Sequence, residues 1–172
     1  SKPRGAIAAP TAGLHFTPTV LTEVAEIASL AEITLHVGYG TFEPVRVDNV
    51  DQHSVSSEHF EISDSAAETI NHARANRGRI IVVGTTTMRA LESSATEDGC
   101  VVAGPGVASL TIKPGYRFHI ADALLTNFHL PRSSLLILVS AFAGRDFALR
   151  AYHHAVAQRY RFYSYGDCML IL

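Results

Sequence analysis

Apolar positions along the chain change period several times, and each change marks a predicted element. Over residues 18–30, Val20, Leu21, Val24 and Ile27 recur at the spacing of one helical face, with Thr17 as N-cap and Pro18 in the first helical position. Residues 5–9 predict a short buried strand before this helix. Residues 33–37 predict another after it, broken by Gly38-Tyr39-Gly40. Residues 46–57 are polar and irregular, and residues 59–62 predict a strand. Ser63 then caps a helix to about Arg77, which Gly78 stops. In residues 79–83 the run Ile80-Ile81-Val82-Val83 lacks alternation, which predicts a central strand buried on both faces. Gly84-Thr85-Thr86-Thr87 ends that strand and leads into a helix from Met88 to about Ala95.

Residues 96–107 contain Gly99, Gly104, Pro105 and Gly106 and predict a loop. Strands are expected at residues 109–112, 116–120, 123–126 and 168–172, and helices at 133–142 and 146–159. No internal repeat is visible. Strands alternating with helices predict one α/β layered domain over residues 1–172, with a mixed or mostly parallel sheet and helices on both faces.

Composition narrows the class. A hydrophobic fraction of 47% with 17% charged residues in 172 residues describes a globular chain with a real core. Net charge is −2 with histidine neutral, so nucleic acid would have to be held by a local patch. Cys100 and Cys168 make no disulfide framework, which points to a reducing, cytoplasmic setting. No run approaches the roughly 18 apolar residues that span a bilayer, and Ser1-Lys2-Pro3-Arg4 opens no signal peptide. Neither His-Glu-x-x-His nor a cysteine with a metal-ligand neighbour occurs, so no metal is expected.

Four segments place glycines and polar residues at strand ends, where open α/β sheets bind ligands. Pro10-Thr11-Ala12-Gly13-Leu14-His15-Phe16 offers a close backbone approach at Gly13 and a proton-transfer group at His15; a tight turn with a structural histidine is the alternative. Leu35-His36-Val37-Gly38-Tyr39-Gly40-Thr41-Phe42 resembles a phosphate-cradling loop weakly, and an ordinary turn explains it as well. Gly84-Thr85-Thr86-Thr87-Met88-Arg89 presents helix N-terminal N–H groups and an arginine to an anion; a threonine cap with an exposed arginine competes. In Thr126-Asn127-Phe128-His129-Leu130-Pro131, Asn127 can read a base or carboxylate and His129 can exchange protons; a lone histidine is more often structural than catalytic. The four are expected to converge on one cleft.

Taken together these segments resemble the S-adenosylmethionine:tRNA ribosyltransferase-isomerase family, in order and over essentially the whole chain. The resemblance rests on Ala8-Ala9-Pro10-Thr11-Ala12-Gly13-Leu14-His15-Phe16 and on Thr34-Leu35-His36-Val37-Gly38 with Gly40-Thr41-Phe42 and Pro44-Val45. It continues through Val83-Gly84-Thr85-Thr86 with Arg89-Ala90-Leu91-Glu92-Ser93, and through Leu125 to Pro131. It closes on Tyr160-Arg161-Phe162 and Ser164-Tyr165-Gly166-Asp167. Family members are about twice as long and pair an α/β/α sandwich with a β-barrel domain. The resemblance implies that this chain is the C-terminal half, without the barrel and the first sandwich elements. Ser56 stands where relatives often carry a second histidine.

The resemblance implies transfer and isomerisation of the ribosyl part of S-adenosylmethionine onto 7-aminomethyl-7-deazaguanine at the tRNA wobble position. The product is epoxyqueuosine; adenine and methionine leave, and no cofactor is implied. A base must remove a proton beside the sulfonium, and an acid helps adenine depart. His15, His36 and His129 are the candidate proton-transfer groups. Thr85, Thr86 and Arg89 are candidates for the methionine carboxylate, and Glu58, Asp122 or Asp167 for the sulfonium or ammonium, with Asp167 also counted as a catalytic candidate. Thr11, Gly13, Gly38, Gly40, Thr41, Asn127 and Tyr165 are further candidate substrate contacts. Glu92, three residues after Arg89, offers a simple helical ion pair instead. The alternatives to a complete catalyst are an inactive ligand-binding module and one subunit of a split enzyme, acting as a homodimer or with a complementing N-terminal chain.

Overall fold

The strand Ala123–Asn127 (β5) is the centre of the fold's ligand-facing half. In the computed structural model, which describes residues 5–38 and 44–172, it pairs in parallel with Ile81–Val83 (β3) and antiparallel with Cys168–Ile171 (β6). The registers are Val82 with Leu124 and Asn127 with Cys168. A second, antiparallel sheet has the order Thr34–His36 (β1), Glu58–Ile62 (β2) and Gly104–Ala108 (β4). Five α-helices complete the mixed α/β fold among the described residues. They are Pro18–Ile27 (α1), Asp64–Ala75 (α2), Thr85–Ser93 (α3), Ser134–Ala143 (α4) and Arg145–Ala157 (α5).

Local chemistry sets the helix ends. Thr17, Ser63 and Ser133 cap α1, α2 and α4 by accepting from Val20, Ala66 and Leu136. The stop after α2 is shifted by one residue from expectation. Arg77, not Gly78, takes the left-handed conformation at φ 58°, while Gly78 N–H donates to Ala73 O at 2.8 Å. The core lies where α3, α4 and α5 meet the strands; Met88, Leu124, Val139 and Ala155 are fully enclosed there.

Several expectations need correction. The β3 strand is an edge of its sheet, not its centre, and Ile81 is 54% exposed. Residues 5–9 form no strand; Ile7 is exposed and donates to Val37 O at 3.0 Å. The α1 helix ends at Ile27 and buries no residue fully. The expected loop at 96–107 contains β4. Its Gly104-Pro105-Gly106 reads as a breaker, yet a Cβ at Gly106 would run into the Phe60 ring, and an edge strand tolerates Pro105.

Residues 109–112 and 116–120 alternate polar and apolar side chains but form no strands. Side chains take up their backbone groups instead. Glu92 accepts from the N–H groups of His119, Ile120 and Ala121, Arg74 donates to Ile120 O, and Arg89 donates to Leu110 O. Burial without a ladder is thus satisfied by charge-assisted hydrogen bonds.

Candidate active site

The carboxyl ends of β3 and β5 open onto a cleft of about 490 Å³, within the size range of small-molecule sites. β3 leaves the sheet at Gly84, whose φ of 94° belongs to glycine's part of conformational space. Its N–H donates to Leu125 O at 2.8 Å, so the start of α3 is fixed against β5. The first helical bond closes from Met88 N–H to Gly84 O at 3.0 Å. The N–H groups of Thr85, Thr86 and Thr87 therefore have no acceptor within the helix, and these three residues line the cleft. This is an anion-binding geometry.

The 3₁₀ turn Thr11–His15 forms a second wall. It brings Thr11, Ala12 and Leu14 to the cleft, with Ala12 packed beside Gly84. Val37 supplies a third wall, and Thr126, Asn127 and His129 a fourth. The four motif segments thus meet on one cleft through their described residues.

Asn127 is 4% exposed. Its Nδ2 donates to Tyr163 O at 3.0 Å and to Ser164 O at 3.5 Å. Carbonyls only accept, so these bonds fix which end of the amide is which. The remaining Oδ1 is a buried acceptor with no partner among the described residues. His129 Nε2 lies 3.0 Å from Thr126 Oγ1, and its backbone N–H donates to the Tyr152 hydroxyl at 3.0 Å. Burial depresses the imidazole pKa to about 4, so His129 is neutral at pH 7. The same enclosure pushes the Tyr152 hydroxyl up to about 12.

Other candidates lie outside this cleft's lining. Arg89 is buried; its Nη1 is 2.7 Å from Glu58 Oε2, and its other N–H groups donate to Leu110 O, Ser56 O and Ala108 O. Arg89 and Glu58 therefore bind each other and the loop backbone, and the expected Arg89–Glu92 pair gives way to Glu92's own bonds. Asp122 is exposed at the opposite end of β5, where it accepts from Ile80 N–H at 2.8 Å. Asp167 accepts from Arg161 N–H at 2.7 Å, which more than any other contact holds its carboxyl below the usual range. It closes the turn between residues 161 and 167.

His36 sits in β1, and its ring lies under Gly5, where a Cβ would come within 2.7 Å of Nδ1. His15 ends the 3₁₀ turn but does not line the cleft, and its Nε2 is buried without a partner among the described residues. Gly13 and Gly38 stand just off the lining, and a Cβ at either would meet no described residue within 4 Å. Gly40 and Thr41 lie outside the described residues. Tyr165 lines the cleft and is 87% exposed.

The sequence reading missed Arg132, Tyr163 and Ser164 as lining residues. Arg132 follows the Asn127–Pro131 motif directly and precedes the Ser133 cap, which was an available signal. Tyr163 and Ser164 are held at the site by Asn127, which donates to both carbonyls, and by the Tyr163 N–H, which donates to Phe128 O at 2.8 Å. His53 Nε2 lies 2.8 Å from Ser134 Oγ. Among the described residues no helix is long and apolar enough to cross a membrane, and no three His, Cys, Asp or Glu side chains could hold a metal ion.

Known proteins are similar to this chain. The S-adenosylmethionine:tRNA ribosyltransferase-isomerase of Geobacter metallireducens is 53% identical over 99% of this chain and 50% of its own length. That of Moorella thermoacetica is 55% identical over the whole chain and 51% of its own length. The crystal structure of S-adenosylmethionine tRNA ribosyltransferase from Thermotoga maritima matches with a TM-score of 0.75 at 41% identity, covering 94% of this chain and 51% of that one. The chain thus spans about half the length of the curated relatives it matches. The family model described as queuosine biosynthesis protein matches residues 1–171, and the chain belongs to that family.

Proposed function

We propose that this chain carries the S-adenosylmethionine cleft of a tRNA ribosyltransferase-isomerase. In this reading the ribosyl group passes to 7-aminomethyl-7-deazaguanine at the wobble position and is isomerised to give epoxyqueuosine. Adenine and methionine depart, and S-adenosylmethionine is the donor substrate with no further cofactor. The carrying observation is the convergence of the α3 amino terminus, Asn127 and His129 on one cleft.

The chemistry fits these groups. The methionine carboxylate suits the free N–H groups and hydroxyls of Thr85, Thr86 and Thr87. The unpartnered Asn127 Oδ1 suits a ligand N–H. His129 lines the cleft in its neutral form, which places an imidazole where the proton acidified by the neighbouring sulfonium would be removed. Release of adenine needs a proton on a ring nitrogen, a role for which His15 and His36, each next in sequence to a residue that lines the cleft, are the candidates. Arg89, Glu58 and Asp122 have no place in this scheme.

Calorimetry tests the proposal. S-adenosylmethionine should bind the full-length protein, and T85V/T86V should weaken binding about tenfold or more, as expected for lost hydrogen bonds to a charged group. Unchanged affinity would remove the carboxylate assignment.

A second reading has its own observation. The β3 edge is open, and Ile27 of α1 is 87% exposed. These surfaces fit one subunit of a split enzyme, or a homodimer, in which another chain covers the edge. Binding of S-adenosylmethionine only after a complementing N-terminal chain is added would favour it over a self-sufficient module.

A further inference from the structure

A second groove, of about 540 Å³, runs along α4 beside the cleft. Val45, Leu136 and Leu149 form its apolar floor, and the exposed Arg46, Arg132 and Arg145 stand on its rim. Arg132 precedes α4 and Arg145 follows it, so the ten-residue helix separates them by about 15 Å. Arg132 and Ser133 belong to both depressions, which makes groove and cleft continuous.

Arg132 is held at this junction by its backbone. It sits at φ 55°, a conformation uncommon outside glycine, and its carbonyl accepts from Val45 N–H at 2.7 Å. Arg145 opens α5 and touches Asp146 at 2.9 Å, but both side chains are over two-thirds exposed, so solvent screens the pair. Asp48 is the carboxylate among the groove's own residues, against three guanidinium groups. On a chain of net charge −2 this is a local positive track, not a consequence of bulk charge.

We propose that this groove carries the phosphate backbone of the RNA strand leading to the cleft, with Arg46 and Arg145 as phosphate contacts and Arg132 at the entrance. The inference rests on the reading of the cleft given above. Planar guanidinium forks match phosphate oxygens, and the apolar floor suits sugar edges. An acidic peptide would find no backbone-pairing edge in the groove's described walls, which are helix and irregular chain.

The test is anisotropy of a labelled anticodon stem-loop RNA with the full-length protein over a salt series. Wild type, R46Q/R145Q and R46K/R145K are compared. The Gln variant should bind roughly tenfold or more weakly at low salt, and its log–log salt slope should be shallower by about 1.4–1.8, the share of two phosphates. The Lys variant should keep the wild-type slope. An unchanged slope in the Gln variant overturns the proposal, as does an equal loss in the Lys variant, since charge would then not be the cause. Calorimetry with S-adenosylmethionine on the same samples reports on the cleft separately, because neither substituted residue lines it. If even wild type fails to bind S-adenosylmethionine, the cleft reading falls while the salt slopes still decide the groove.

Discussion

Arg89 Nη1 of α3 lies 2.7 Å from Glu58 Oε2 at the start of β2, and both side chains are buried. This pair joins the helix that opens the cleft to the antiparallel sheet. Arg89 also donates to Ser56 O just before β2, to Ala108 O at the end of β4 and to Leu110 O beyond it, so one side chain ties α3 to two strands of that sheet and the segment after them.

Removing either partner should therefore destabilise the fold. Arg89→Met leaves the buried Glu58 carboxylate without its cation and takes a donor from three carbonyls, and should cost about 3–5 kcal/mol. Urea denaturation should show this as a lower midpoint, with R89M/E58Q recovering part of the loss. A midpoint unchanged in the single variant would contradict the pairing.

His129 predicts an acid limit to stability. Its pKa falls from 6.5 to about 4 on folding, chiefly through burial. The unfolded chain therefore binds the proton more readily between those values. Stability from keeping His129 neutral is complete above pH 6.5 and is lost as pH falls toward 4, on the order of 3 kcal/mol. The pH dependence of unfolding should flatten over this window in His129→Gln. A variant as acid-sensitive as wild type would place the titration elsewhere.

The same residue predicts a kinetic effect. His129→Ala in the full-length protein should lower turnover by roughly 10²–10⁴-fold while leaving tRNA binding nearly intact. Turnover at the wild-type rate would return His129 to a structural role.

Gly84→Ala isolates backbone strain from crowding. A Cβ there would sit 3.7 Å from Ala12 Cβ and 3.8 Å from Thr87 Oγ1, which is ordinary contact. The cost should come from the φ of 94°, about 1–3 kcal/mol, with weakened S-adenosylmethionine binding as the α3 amino terminus shifts. Thermal melting and calorimetry on one sample would expose both effects, and a neutral variant would refute them.

The 172-residue chain should self-associate and fail to modify tRNA by itself. The β3 edge carries Ile81 at 54% exposure, and α1 presents Ile27 at 87%. Sedimentation should give a species heavier than a monomer, and I27E/I81K should return it to one. A wild-type monomer that modifies tRNA at the rate of a full-length relative would overturn this expectation.

Much of the fold was legible in the residues because its signals are local. Thr17, Ser63 and Ser133 mark helix starts through hydrogen bonds three residues away, and the patterns of α1, α2, α4 and α5 follow from periodicity. Gly84 followed by three threonines announces a strand-to-helix turn, and the four motif segments are contiguous in sequence. What tertiary structure decided is every question of partners. The Gly104-Pro105-Gly106 stretch becomes a strand because the Phe60 ring needs a site without a Cβ, and Phe60 is far away in sequence. Residues 116–120 fail to become a strand because Glu92 takes up their end's N–H groups. Arg89 reads from sequence as an anion binder, but burial left its charge only one inexpensive solution, a carboxylate on the neighbouring sheet. Hydrophobic pattern and caps act within a few residues of themselves, whereas the fate of a buried charge depends on which distant group the fold brings within 3 Å.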